Sequence, residues 1–285
     1  MSRAARAAAA VLALAACSKI DYLPPKPVAP WPTRVLMHRG GGSSGPYPGN
    51  TLPAVRWGAS LLDGVEIDVQ LSANSTLWLG HDNEVLGCDG KSIGCFQDLD
   101  DTAIDAVAYC PDPSTGAPVQ HYVRLDEVFA AISVEFPGSL FSLDVKGQYC
   151  RSLGRDEAEA MADQVDALVR TYGMDGKVAV ETEQRAFLER IVDRRAPVYG
   201  FVNALDDIDG PLGAASNLGA TGISFKFDQT TEPLDASVVA GIHGVGYRII
   251  VWTVNTPEDI AAVWPMLPDV IETDNPDFRK YVPPP

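Results

Sequence analysis

Positive charge is scarce in this 285-residue chain: Lys and Arg total 22 against 38 Asp and Glu, a formal net charge of -16. That deficit excludes nucleic acid as a partner, because binding phosphate backbones over a wide surface requires many cations to neutralise them. A small anionic substrate is not excluded, since a bound cation could draw it in. Long apolar runs are lacking as well. The run at residues 7–16 falls well short of the roughly 20 residues needed to cross a bilayer. Cysteine is sparse, with five in all, and Cys88, Cys95, Cys110 and Cys150 form an even set apart from Cys17.

Arg3 and Arg6 precede the short apolar run and Cys17 follows it, which is the layout of an export signal. Leu14-Ala15-Ala16-Cys17 resembles a bacterial lipobox. It implies that residues 1–16 are removed and that Cys17 is lipidated, giving a membrane lipoprotein that faces the periplasm or the cell surface. Residues 17–33, rich in Pro, then read as an extended tether, and residues 34–285 as the folded domain. Export places the other cysteines where disulfides are favoured over metal ligation. Cys88 and Cys95 bracket a Gly-rich loop, and Cys110 is placed to reach Cys150, although three pairings stay open.

With 46% hydrophobic residues the chain can bury one large core, as a single α/β barrel or as two ordinary domains. Strand-like segments at residues 34–38, 64–71 (extended by 76–80), 139–145, 177–181, 197–202, 221–225, 247–253 and 269–273 alternate with helical ones. The helices cover residues 50–62, 125–133 and 157–172, with further ones starting at Glu183, Asp206, Leu234 and Pro257. Eight such units predict a (β/α)8 TIM barrel with reactive side chains at the carboxyl ends of its strands. Residues 83–120, rich in Gly, Asp, Pro and Cys, read as an insertion covering one end.

Alternation along residues 65–71 puts Glu66, Asp68 and Gln70 on one face and Val65, Ile67, Val69 and Leu71 on the other. Residues 141–146 repeat the pattern, with Ser142, Asp144 and Lys146 opposite Phe141, Leu143 and Val145. A polar set turned toward a barrel axis must be paired, hydrated or metal-bound. Clustered carboxylates suit one hard divalent cation, Mg²⁺ or Ca²⁺, and His38 and His81, each ending a strand, suit proton transfer in phosphoester chemistry. Arg39 and Lys146 are phosphate-binding candidates, with pairing to the carboxylates as the competing role. Trp252, at a strand end, either lines the pocket or fills the core. Glu181 and Lys226 also fall near strand ends, and His121 and His243 read as surface residues.

The motifs His38-Arg39-Gly40, Asn50-Thr51, Glu66-Ile67-Asp68-Val69 and His81-Asp82 are followed in order by Leu125-Asp126-Glu127-Val128 and Leu143-Asp144-Val145-Lys146. Val251-Trp252-Thr253-Val254-Asn255 and Thr273-Asp274-Asn275-Pro276 complete the series. Together, over residues 34–277, they resemble glycerophosphodiester phosphodiesterases. The resemblance implies a barrel enzyme with a cation on Glu66, Asp68 and Asp144, and His38 and His81 as the acid-base pair, His38 preferred as base. It also implies attack by the substrate's adjacent glycerol hydroxyl, forming a cyclic phosphate that water opens. Its substrates would be small phosphodiesters such as deacylated phospholipid headgroups, with no obligate protein partner.

Two positions depart from that pattern: Asp144 stands where the family usually has Glu, and Gly49 where Glu usually precedes Asn-Thr. Asp144-Val145-Lys146 and the Cys-bracketed loop are also similar to the sphingomyelinase D group, which shares the barrel and acts on choline phospholipids. The alternatives are therefore a headgroup-releasing lipase acting on lysolipids or sphingolipids, and a barrel that binds without catalysing.

Overall fold

The computed structural model describes residues 31–43, 45–109, 119–146, 150–205, 207–227 and 234–282. The residues read as an export signal, Cys17, most of those read as a tether, and Cys110 lie outside the described residues.

β1 (Arg34–Met37) runs into a Gly-rich turn and then α1 (Leu52–Leu61). Thr51 caps this helix, its Oγ accepting from the Ala54 N–H, and Pro53 sits in the first turn, where a missing N–H costs no hydrogen bond. β2 (Gly64–Leu71) follows with all eight residues buried. β3 (Leu77–Leu79) folds back antiparallel on β2 instead of prolonging it. The reversal comes from the turn at residues 72–75, where Ser75 takes a left-handed φ of 62° and donates its N–H to the Ser72 carbonyl at 2.9 Å.

The insertion carries its own structure: β4 (Glu84–Leu86) and β5 (Ser92–Cys95) form a hairpin, followed by α2 (Asp101–Asp105) and the ribbon of β6 (Ala108–Tyr109) and β7 (Gln120–His121). Trp78, Val85, Phe96, Ile104 and Tyr122 give this layer a small hydrophobic core separate from that of the barrel. The chain continues through α3 (Leu125–Glu135), β8 (Leu140–Val145), α4 (Arg155–Thr171), β9 (Val178–Thr182), α5 (Arg185–Asp193), β10 (Tyr199–Ala204), α6 (Asp209–Leu218) and β11 (Gly222–Lys226). It ends with α7 (Ala236–Gly244), β12 (Arg248–Trp252), α8 (Pro257–Val263) and β13 (Val270–Thr273).

Among the described residues, eight parallel strands close in the order β1-β2-β8-β9-β10-β11-β12-β13, with β13 pairing back to β1. The result is the predicted (β/α)8 barrel. Outward side chains, Val65, Ile67, Phe141 and Leu143 among them, join the helices in one large apolar cluster. Inward, Leu36, Ala179, Phe201, Ile250 and Val270 fill the lower barrel. Two residues further along the same strands, the positions facing the same way become His38, Glu181, Asn203, Trp252 and Glu272, so the interior turns polar toward the mouth. Close strand approach is fixed by glycine: a Cβ on Gly64 would fall 2.0 Å from the Leu140 carbonyl oxygen, and one on Gly222 2.0 Å from that of Arg248.

The lower end is closed by a buried anion with a full set of donors. Asp269, 0% exposed, accepts from the Trp31 and Ile249 N–H groups, both at 2.9 Å, from Arg248 Nη1 at 2.8 Å and from His243 Nε2 at 2.9 Å. The Arg248 guanidinium also lies 3.8 Å over the Trp31 ring, a cation–π contact. His243 is therefore a buried partner of Asp269 rather than a surface residue: α7 packs its last turn against the start of β13, and the carboxylate offsets the cost of burying the ring.

Candidate active site at the barrel mouth

β1 ends in His38, and the chain then turns sharply because Arg39 and Gly40 both adopt left-handed backbones, with φ of 52° and 70°. The turn points the His38 ring across the mouth toward the end of β13. There Nδ1 meets Asp274 Oδ1 at 2.9 Å. Asp274 is itself fixed by Asn255, whose Nδ2 donates to its carboxylate at 3.0 Å and whose Oδ1 accepts its N–H at 2.8 Å. Burial works to raise the Asp274 pKa, but the hydrogen bond and charge of His38, with the Asn255 amide, leave it below the usual value. With Nδ1 engaged, His38 Nε2 faces the barrel interior, 3.8 Å from Glu66 Oε2.

β2 supplies Glu66 and Asp68, both 2% exposed. Glu66 accepts the Arg39 N–H at 2.8 Å. Asp68 is clamped at two points by Asn50, which accepts its N–H at 3.0 Å and donates to its carboxylate at 2.7 Å. Lys146, just past β8, places Nζ 2.7 Å from Asp68 Oδ1 and also bonds Asp144 Oδ2. Burial would raise the Asp68 pKa, yet the charges of Lys146, His81 and Arg39 overcome it and hold the group well below the ordinary range. The same pairing lifts Lys146 far above its usual value against its burial. Glu66 goes the other way, pushed well up by burial and by the charges of Asp68 and Asp144. Asp144 rises to about 6, chiefly through burial and despite Lys146.

Below these groups, Glu181 accepts from the Ser142 and Ser224 hydroxyls, and Trp252 Nε1 donates to Ser224 Oγ at 2.8 Å. Glu272 lies beside Glu181, 2% exposed, with its pKa driven well up by burial and by the Glu181 charge. Among the described residues, Glu272 Oε1, Asn203 Oδ1 and Arg39 Nε have no hydrogen-bond partner. Arg39 Nε lies 3.5 Å from Asp68 Oδ2, within ion-pair range of that carboxylate though not hydrogen-bonded to it.

His81 stands on the rim after β3, with Nδ1 2.9 Å from Asp82 Oδ1. Gln70, the third inward residue of β2, donates to the Asp82 carbonyl at 3.0 Å and so ties this rim to the barrel. A cavity of about 530 Å³ opens here, lined by His81, Asp82, Asn83, Glu84, Leu86, Lys146 and Cys150. Its wall is stapled by a disulfide between Cys95 and Cys150, with Cα atoms 6.2 Å apart. Cys110 therefore does not pair with Cys150, because the β4-β5 hairpin brings Cys95 to that position first. Cys88 is disulfide-bonded too.

His38, Arg39, Glu66, Asp68, Asp144 and Lys146 thus come together, and Lys146 also lines the cavity on which His81 borders. Trp252 stands apart from the cavity lining and packs on the lower apolar cluster. His121 is exposed, as the sequence suggests. Sequence reasoning assigned no role in the site to Asp274, Asn50, Asp82 or Glu272. The first three lie inside quoted motifs, and Glu272 could have been found from alternation, two residues before Asp274 on the inward face.

Among the described residues, no three His, Cys, Asp or Glu side chains are placed to hold a metal ion; the Lys146 ammonium lies between Asp68 and Asp144. The donor set still suits a hard cation. Glu66, Asp68, Asp144, Glu181 and Glu272 bring five carboxyl groups to a mouth where Lys146 and Arg39 are the nearby cations, and the raised pKa values of Glu66 and Asp144 register the excess.

A sequence profile of the glycerophosphoryl diester phosphodiesterase family matches residues 38–278. The chain belongs to that family. The phosphodiesterase is thereby a phosphoric diester hydrolase. Solved structures agree with its fold. A phosphodiesterase of Oleispira antarctica, in complex with the product sn-glycerol-3-phosphate, superposes with a TM-score of 0.71 at 18% identity, over 87% of this chain and 96% of the other. A glycerophosphodiester phosphodiesterase of Parabacteroides distasonis gives 0.68 at 18% identity, over 88% and 97%. One from Thermotoga maritima gives 0.62 at 18%, over 87% and 97%. Among curated protein sequences, none matches.

Proposed function

We propose that this phosphodiesterase hydrolyses glycerophosphodiesters to glycerol phosphate and an alcohol, with His38 and His81 moving the protons and Glu66, Asp68 and Asp144 holding one divalent cation, Mg²⁺ or Ca²⁺. The observation that carries the reading is the matched pair of imidazoles. Each His engages a carboxylate through Nδ1, His38 with Asp274 and His81 with Asp82, which fixes the ring and leaves Nε2 for chemistry.

His38, on the inner side of the mouth, takes the proton from the attacking glycerol hydroxyl. His81, on the rim, gives one to the departing alcohol oxygen, leaving a cyclic phosphate that water then opens to glycerol phosphate. Arg39, whose Nε makes no hydrogen bond and lies 3.5 Å from Asp68, and Lys146 hold the phosphate oxygens. When bound, the cation would withdraw charge from those oxygens. The product seen in the Oleispira antarctica structure supports glycerol phosphate as the retained fragment. The wall of Asp82, Asn83 and Glu84 is polar and supports a headgroup diester over a lysolipid, whose acyl chain would favour an apolar mouth. Export of the enzyme, with anchoring through Cys17, is part of the proposal, and the Cys95–Cys150 disulfide supports an oxidising compartment.

The test is ³¹P NMR of glycerophosphocholine and lysophosphatidylcholine incubated with a soluble form starting after Cys17. Glycerol phosphate from the first substrate, slowed about 10²- to 10⁴-fold in a folded His38→Ala variant, is expected. Cyclic phosphate from the lysolipid alone would overturn the reading.

A further inference from the structure

The charge on the cavity wall is more than the bond-breaking step requires. Of its lining residues, Asp82 is engaged by His81 and Lys146 by Asp68 and Asp144, which leaves the Glu84 carboxylate as the charge not taken up by the site itself. Among the described residues no ion pair engages Glu84, which is exposed on the hairpin. The wall is also built firmly. Glu84 pairs with Cys95 across β4 and β5, the Phe96 N–H donates to the Asn83 carbonyl at 3.0 Å, and the Cys95–Cys150 disulfide joins the hairpin to the chain beyond β8. Behind it, the Tyr122 hydroxyl accepts from the Leu86 N–H at 2.9 Å and donates to the Leu86 carbonyl at 3.2 Å, with Tyr109 packed on Tyr122 at 4.7 Å.

We propose that this wall makes the enzyme selective for leaving alcohols that carry a positive charge, with Glu84 as the specificity-determining residue. The inference rests on the reading that His81 protonates the leaving oxygen. That oxygen must lie within hydrogen-bond reach of His81, so the rest of the alcohol extends into the cavity on which His81 borders. In a two-carbon amino alcohol the nitrogen falls roughly 4 Å from the oxygen, which keeps its charge inside the cavity and near the Glu84 wall. A primary or quaternary ammonium alcohol is attracted there, whereas a neutral polyol gains nothing from the charge. Because the wall is prepositioned, the attraction is not spent on ordering it.

The experiment compares kcat/KM for glycerophosphocholine and glycerophosphoglycerol at low ionic strength, in the wild type and in Glu84→Gln. The wild type should favour the choline diester by about 3- to 10-fold, the effect of one charge at a few ångströms in a wet site. Glu84→Gln should remove most of that preference by raising KM for the choline diester more than for the neutral one, and added salt should shrink the wild-type preference. An unchanged ratio in Glu84→Gln, or a wild type that favours the neutral diester, would overturn the inference while leaving the phosphodiesterase reading intact. Hydrolysis of neither diester by the wild type would overturn that reading and the inference with it.

Discussion

Asp269 and Glu272 lie three residues apart at the two ends of β13, both buried, and the fold treats them in opposite ways. Asp269 receives four donors and closes the bottom of the barrel. Glu272 lies near Glu181 and Glu66, keeps an orphaned oxygen, and has its pKa driven up by burial and by its acidic neighbours. A buried acid with a complete donor set is part of the framework. One left short of positive charge marks where the protein expects charge from outside, whether a proton, a cation or a substrate group. The two ends of one strand thus separate stability from function.

Breaking the lower end should produce the larger effect on stability. Asp269→Ala strips the shared acceptor from Arg248, His243, Trp31 and Ile249, and should cost about 3–5 kcal/mol in denaturant unfolding, as loss of one partner of a buried pair does. The kcat of the folded fraction should stay at the wild-type value, because none of those groups reaches the mouth. The upper end should respond with the opposite sign. Glu272→Gln replaces a group already driven toward its neutral form by a neutral amide of the same shape that can donate to Glu181. It should stabilise the cation-free protein by about 1–2 kcal/mol at pH 8, read from the urea midpoint. If both substitutions destabilise alike, the two ends are not different in kind.

The same contrast explains what the sequence could reveal. The repeating order of strand-like and helical segments exposed the eight barrel strands, and period-two alternation the inward set Glu66, Asp68, Ser142 and Asp144, because a strand's two faces are recorded in consecutive residues. It read β3 as a continuation of β2, since alternation resumes after a reversal just as it would after a bulge, and only the left-handed Ser75 tells the two apart. The partners of the site were harder to see. Asp274 meets His38 across 236 positions and His243 meets Asp269 across 26, and no local pattern encodes such contacts. The Cys95–Cys150 bridge was likewise one of three pairings until the β4-β5 hairpin placed Cys95 against the chain beyond β8.

The central claim, that the mouth is an acid-rich site short of positive charge, is tested most directly by thermal unfolding between pH 8 and pH 5, in EDTA and with Mg²⁺ or Ca²⁺. Glu66 and Glu272 have folded pKa values well above their unfolded ones, and Asp144 is raised to about 6. In this window the folded state therefore holds more protons than the unfolded state, and stability must rise as pH falls. Carboxylates with lowered pKa values, such as Asp68 and Asp274, lose their contribution only at lower pH. The account predicts a Tm in EDTA that climbs from pH 8 toward pH 5, and a divalent cation that raises the Tm at pH 8 and flattens the slope. A Tm that falls steadily over the same range and ignores both cations would contradict it.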